Sequence, residues 1–315
     1  MTAHKLIWNP LWAILVGVLV AALVASFFVF VQSGEAAPQT ADRQTPKIVG
    51  GKEVPNGKYP FIAALLDTRL RGNAFDQQYC GGTLIDKDSV LTAAHCFFNP
   101  KSGNLDPQSV KALKVVVGRT VLDSSQGQVR SVKSRFIHPN YKPKSPSSDY
   151  DAAVLGLKKP VSGIPPIKLA TAAQNNLEQA GRNATVAGWG SVVQVPACSP
   201  PNNKPAYFNA RMRDAQVPIV SDSEANQLFG DICPYSGALR TAYTPTLMVA
   251  AGGIGKDACQ ADSGGPLFIA NAVGGKDTQI GIVSFGPGCA PDVYPNVYTE
   301  VNASPIASFI QRAAQ

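Results

Sequence analysis

The sequence predicts an all-β protein in two halves, closed by a short C-terminal helix. Three observations carry this. Short runs rich in Val, Ile and aromatic residues recur between turn residues, and 28 glycines and 25 prolines in 315 residues supply the turns. No long helical period separates the runs, which disfavours a parallel sheet of βαβ units. A composition of 45% hydrophobic and 16% charged residues excludes a disordered chain. The formal charge of +7 is spread thinly, so no nucleic-acid partner is expected.

The elements follow in order. Residues 1–10 are polar and carry His4 and Lys5. Residues 11–31 run without a charge, and as a helix they would reach about 31 Å, the hydrocarbon thickness of a bilayer. Lys5 favours a cytoplasmic N-terminus for a signal-anchor. The small residues of Gly34-Glu35-Ala36 keep a long cleaved signal peptide open as the other reading. Both readings export the rest of the chain, to the cell surface or the extracellular space, with membrane contact through 11–31 if that segment is uncleaved. Residues 32–47 read as a polar tether or propeptide.

Export places Cys80, Cys96, Cys198, Cys233, Cys259 and Cys289 in an oxidising compartment. Six cysteines allow 15 pairings, and spacing alone selects none. No CxxC or clustered His/Cys set occurs, so no zinc site is expected; no other metal and no cofactor is expected either.

Beyond the tether, strands are expected around Val115–Val117, Ala153–Leu157, Thr185–Ala187, Ile280–Phe285 and Val297–Val301. Pro160–Ala173 could join the two halves. Residues 302–315 read as a helix, with Ser304 as N-cap, Pro305 at the first helical position, and Ile306, Phe309 and Ile310 on one face.

Only two histidines lie in the exported part. His138 sits in the turn sequence His138-Pro139-Asn140-Tyr141 and reads as a surface structural residue. His95 follows the apolar run Val90-Leu91-Thr92-Ala93-Ala94; taken alone it would be an ordinary buried histidine. Asp262-Ser263-Gly264-Gly265-Pro266 could be only a turn, yet glycines beside a serine expose its Oγ and the nearby N–H groups. A hydroxyl is a weak nucleophile that needs a base, itself oriented by a third group. His95 is the candidate base. Asp149 and Asp151 both precede an apolar strand and could orient it.

From Ile48 onward the chain resembles the trypsin-like, chymotrypsin-fold serine endopeptidases. The motifs are Ile48-Val49-Gly50-Gly51, Leu91-Thr92-Ala93-Ala94-His95-Cys96, Asp151-Ala152-Ala153-Val154-Leu155, Gly188-Trp189-Gly190, Asp262-Ser263-Gly264-Gly265-Pro266 and Gly281-Ile282-Val283-Ser284-Phe285-Gly286. The resemblance implies two packed antiparallel six-stranded β-barrels, at about 48–165 and 166–301, with a C-terminal helix at about 303–314. It implies His95 as general base, Asp151 as its orienter and Ser263 as nucleophile. It pairs Cys80 with Cys96 and Cys259 with Cys289, and leaves Cys198 and Cys233 as a further pair or as free thiols. Two other common bridges are absent as whole pairs, with Ala184 and Ile269 at one and Ala225 and Ala250 at the other. Asp257 falls at the base of the pocket that takes Lys or Arg, and Ser284 and Gly286 on the strand that pairs with substrate backbone. Cleavage of Lys47-Ile48 by an activating protease would free an amine on Ile48 to pair with Asp262.

Four departures from the family stand out. Ala261 replaces the glycine whose N–H completes the oxyanion hole with that of Ser263. Asn296 replaces a pocket-wall glycine, Phe285 replaces a tryptophan, and Arg119 stands where calcium-binding relatives carry a ligand glutamate. The resulting expectation is a monomeric zymogen acting on proteins or peptides. The rival is a catalytically silent binding module on the same fold, for which Ala261 is the main argument.

Overall fold

The computed structural model describes residues 49–99, 102–106, 109–145, 147–197, 208–230, 243–253, 255–291 and 293–315. The apolar segment 11–31, Lys47, Ile48, Cys198 and Cys233 lie outside the described residues. Among the described residues, no helix is long and apolar enough to cross a membrane.

Fourteen strands are described: β1 Lys52–Glu53, β2 Ile62–Asp67, β3 Gln78–Leu84, β4 Ser89–Thr92, β5 Leu113–Val117, β6 Gln128–Ile137, β7 Ala153–Leu157, β8 Lys168–Leu169, β9 Asn183–Gly188, β10 Arg213–Val220, β11 Met248–Ala251, β12 Pro266–Val273, β13 Lys276–Phe285 and β14 Asn296–Glu300. Strands β2-β3-β4-β7-β6-β5 close into an antiparallel barrel through the β2–β5 pairing. A second antiparallel six-stranded barrel runs β10-β11-β14-β13-β12-β9 and closes through β9–β10, where Arg213 faces Gly188 and Val217 faces Ala184. The chain before β2 joins this second barrel: β1 pairs Lys52 with Asp214 and Glu53 with Arg213. Strand β8 lies parallel to β13.

The reason for two barrels is visible in β2. Ala63 and Leu65 point into the first barrel's core with Leu84, Val115 and Leu155. The alternate residues Ile62, Ala64 and Leu66 point the other way, into a cluster with Ala187, Trp189 and Phe268 of the second half. A strand buried on both faces loses polar alternation, and all but the last residue of β2 is buried. The aromatic rings of Tyr59 and Phe61 meet Phe268 edge-on at 5.1 and 5.6 Å. Trp189 Nε1 donates across the same seam to the Thr120 carbonyl at 3.1 Å.

The expected bridges Cys80–Cys96 and Cys259–Cys289 are both formed. Where the other two are absent, alanine and isoleucine fill the space: Ala184, Ala225 and Ala250 are fully buried and Ile269 nearly so, all in the second barrel's core.

Among the described residues, two helices exceed one turn of regular α-structure, α1 Asp222–Gly230 and α2 Ser304–Ala313. Helix α2 buries Ile306, Phe309 and Ile310 as expected, but Ser304 does not cap it. Ala303 occupies the cap without a side-chain hydrogen bond, and Pro305 still sits in the first turn, where its missing N–H has no intrahelical partner to lose. The strand at 297–301 ends at Glu300, Val301 lying in a turn. His138 is not a surface residue: it is buried, stacked on Tyr150 at 4.8 Å and edge-on to Phe309 at 4.9 Å, joining the first barrel to α2.

Candidate active site

The ends of two paired strands bring a histidine and an aspartate together. Thr92, the last residue of β4, faces Ala153, the first of β7. His95 begins a one-turn 3₁₀ helix just past β4, and Asp151 lies two residues before the start of β7. His95 Nδ1 lies 2.7 Å from Asp151 Oδ2, and the His95 backbone N–H donates to Oδ1 at 2.8 Å. Ser284 donates its hydroxyl to Oδ2 at 2.6 Å, so the fully buried carboxylate meets three donor groups. Asp149 instead accepts from Thr244 Oγ1 at 2.7 Å and does not join this cluster.

Burial works against a charged imidazole, but the Asp151 carboxylate outweighs it and holds the His95 pKa above 6.5. Burial likewise disfavours the Asp151 carboxylate, but His95 and the Ser284 hydroxyl hold its pKa below 3.8.

Ser263 stands on a braced loop before β12. Its carbonyl accepts from Gly81 N–H at 2.8 Å, and Gly264 N–H donates to the Val283 carbonyl at 2.8 Å. Gly264 has φ +82°, and a Cβ there would meet Thr92 Oγ1 at 2.2 Å, so this position requires glycine. Cys96 Sγ lies 3.7 Å from the Ser263 carbonyl oxygen and 4.0 Å from His95 Nε2, which sets serine and imidazole around one disulfide. His95 and the sulfurs of Cys80 and Cys96 cluster closely. Those sulfurs are bonded to each other and are not thiolate ligands.

Asp262, next to Ser263, points inward. Gly190 N–H donates to Oδ1 at 2.8 Å and Cys259 N–H to Oδ2 at 3.0 Å. Burial pushes its pKa up to about 7 against those two bonds. Val49, one residue past Ile48, packs with Cys259, Cys289 and Ala290, and its carbonyl accepts from Asp257 N–H at 3.2 Å.

Asp257 is fully buried and Asn296 nearly so. The Ala258 N–H donates to Asp257 Oδ1 at 2.8 Å, while Oδ2 has no hydrogen-bond partner among the described residues. Asn296 Nδ2 donates to the Ala258 carbonyl at 2.8 Å, and its Oδ1 likewise has no hydrogen-bond partner among the described residues. That Oδ1 overlies Gly286, at the point a Cβ there would occupy. Burial raises the Asp257 pKa well above 3.8. Phe285 stands edge-on to Phe229, with centroids 6.1 Å apart. Arg119 donates to the carbonyls of Gln126 at 2.5 Å and Leu122 at 3.1 Å.

Sequence reasoning missed Gln78, whose side chain reaches the Ser263 loop across 183 positions. Nothing local to Gln78 could have signalled it.

Two β-barrels with a histidine–aspartate pair at one strand-end and a braced serine loop at another define the architecture of a chymotrypsin-fold hydrolase. The family model described as Trypsin matches residues 48–310. The chain is 34% identical to a trypsin of Saccharopolyspora erythraea over 262 residues, 81% of this chain and 94% of that protein. It is 35% identical to a trypsin-like protease of Streptomyces glaucescens over 269 residues, 85% of this chain and 82% of that one. It is 29% identical to glucanase inhibitor protein 2 of Phytophthora sojae over 287 residues, 90% of this chain and 85% of that one. The chain belongs to the trypsin family of serine proteases.

Proposed function

We propose that this protein is an exported serine endopeptidase, made as a zymogen and cutting proteins or peptides after Lys or Arg. The observation that carries the reading is the hydrogen-bonded line from Ser284 through Asp151 to His95 beside the braced Ser263 loop. Ser263 Oγ attacks the scissile carbonyl while His95 Nε2 takes its proton and later gives it to the leaving amine. Asp151 keeps the Nδ1 proton on His95 and stabilises the imidazolium. The N–H groups of Ala261 and Ser263 receive the oxyanion. Water then hydrolyses the acyl-enzyme by the same proton route.

Asp257 holds the substrate cation. Its unpartnered Oδ2 gives a Lys or Arg side chain a charge-assisted acceptor, and Ser284, Phe285 and Gly286 line the approach. Activation follows cleavage of Lys47-Ile48 by another protease or by a second copy of the enzyme. The freed Ile48 ammonium pairs with the buried Asp262. The segment 11–31 directs export, as a retained anchor or a cleaved signal, and Cys198 pairs with Cys233.

The second reading is a silent binding module. Ala261 favours it, as does similarity to a relative named an inhibitor. Against it stand all three residues of the triad. Labelling with an organophosphonate after cleavage at Lys47 separates the two: an enzyme takes up one label per chain at Ser263, and a silent module takes up none.

A further inference from the structure

Ala261 holds a backbone conformation that suits glycine, with φ +71°. An L-residue there is strained by its Cβ. The two peptide groups that flank it are each held from outside the loop. Ser191 N–H donates to the Gln260 carbonyl at 2.8 Å, on the peptide that carries the Ala261 N–H. Gln78 Nε2 donates to the Ala261 carbonyl at 2.8 Å, on the peptide that follows. The same Nε2 faces the Cys80 carbonyl at 3.2 Å. Two carbonyl acceptors around one atom require the amide nitrogen there, since an oxygen would repel both.

We infer that Gln78 is a positioning residue: its carboxamide clamps Ala261 in the left-handed conformation and so keeps the Ala261 N–H aimed at the oxyanion. The inference rests on the endopeptidase reading above, in which that N–H is an oxyanion donor. Glycine reaches φ near +70° without strain and has little need of the clamp; alanine does. The neighbouring anchor runs from the same strand, since Gly81 N–H holds the Ser263 carbonyl. Strand β3 therefore fixes both residues that supply oxyanion donors, one through its backbone and one through a side chain.

The test is a double-mutant cycle on the full chain cleaved at Lys47. Gln78→Met keeps the length of the side chain and removes its donor. With Ala261 present, we expect it to lower kcat on a lysine anilide about 10- to 30-fold while KM changes less than twofold. With Ala261→Gly, the same change should cost less than threefold. Equal losses in both backgrounds would assign Gln78 a structural role alone, and no loss in either would remove the clamp altogether. Gln78→Glu should be no better than Gln78→Met at pH 8, because it presents oxygen to both carbonyls. A crystal structure of Gln78→Met decides the matter without turnover. We expect Ala261 to leave the left-handed region, and a φ still near +71° would overturn the proposal even if the endopeptidase reading had failed separately by absence of label on Ser263.

Discussion

Ser284 donates its hydroxyl at 2.6 Å to the oxygen of Asp151 that also faces His95 Nδ1. The carboxylate is thereby pinned from the second barrel while it orients a histidine on the first. Removing Ser284 takes away one of the three donor groups that meet a buried anion. Ser284→Ala is expected to lower kcat about tenfold, the worth of one hydrogen bond to a charged group. A single-turnover rate equal to wild type would show that Ser284 is a bystander.

The pH profile should follow His95. Neutral imidazole is the active form, so kcat/KM rises as pH climbs through its pKa. With Asp151 beside it, that pKa lies above 6.5. In Asp151→Asn the raising charge is gone, and the acid limb should move to lower pH while kcat falls about 10⁴-fold. An acid limb that stays in place would mean another group controls it.

Lys47→Gln should give a folded but inactive protein, and its stability should depend on pH in a characteristic way. Folded Asp262 keeps its proton up to about 7, against 3.8 when unfolded. Between those values the folded state binds more protons, so stability declines as pH rises, by up to about 1.4 kcal/mol per unit. In cleaved enzyme the Ile48 ammonium would pair with that carboxylate and cancel the decline. Glu178 and Glu300, raised by burial to about 8 and about 7, add the same trend to both forms and drop out of the comparison. Urea midpoints of the two forms at pH 4 to 7 should therefore diverge. Parallel lines, or full activity with the bond intact, would end the zymogen reading.

Asp257→Ser should reduce cleavage after Lys and Arg roughly 30-fold or more while leaving the fold intact. A peptide-library profile is the measurement, and an aromatic preference in the unmutated enzyme would refute the assignment.

If Asp257 takes a cation as proposed, Asn296 is expected to set the balance between Lys and Arg. Its Oδ1 covers Gly286, and among the described residues neither that oxygen nor Asp257 Oδ2 has a hydrogen-bond partner. A compact ammonium with three rotatable donors suits that floor better than a planar guanidinium. Wild type should prefer Lys, and Asn296→Gly should raise the Arg-to-Lys ratio of kcat/KM about tenfold. A ratio that falls would reverse this view of the pocket.

Much of this was legible from short stretches of sequence. Strand β7 falls on Ala153–Leu157 as expected, because a run apolar at every position marks a strand buried on both sides. The serine loop announced itself through Gly264, whose φ and contact with Thr92 admit no side chain. Helix α1 was missed, although Ser221 with Glu224 three residues on is a start signal, and Ser221 Oγ does accept from the Glu224 N–H at 3.3 Å. The neighbours of His138 are turn residues, which suggests exposure; Tyr150 and the Phe309 ring of α2, both distant in sequence, cover it. Gln78 could not be read at all, since its partner lies 183 residues away and the bond exists only once both barrels have closed.

The two described disulfides each close within the chain beyond Lys47, and all six cysteines lie past that residue. No bridge can therefore tie residues 1–47 to the protease domain after the Lys47-Ile48 bond is cut. If residues 11–31 remain in a membrane, activation would also be shedding: each newly active molecule would diffuse away from the surface that held its precursor. Membrane-bound and active would then be mutually exclusive states of one chain.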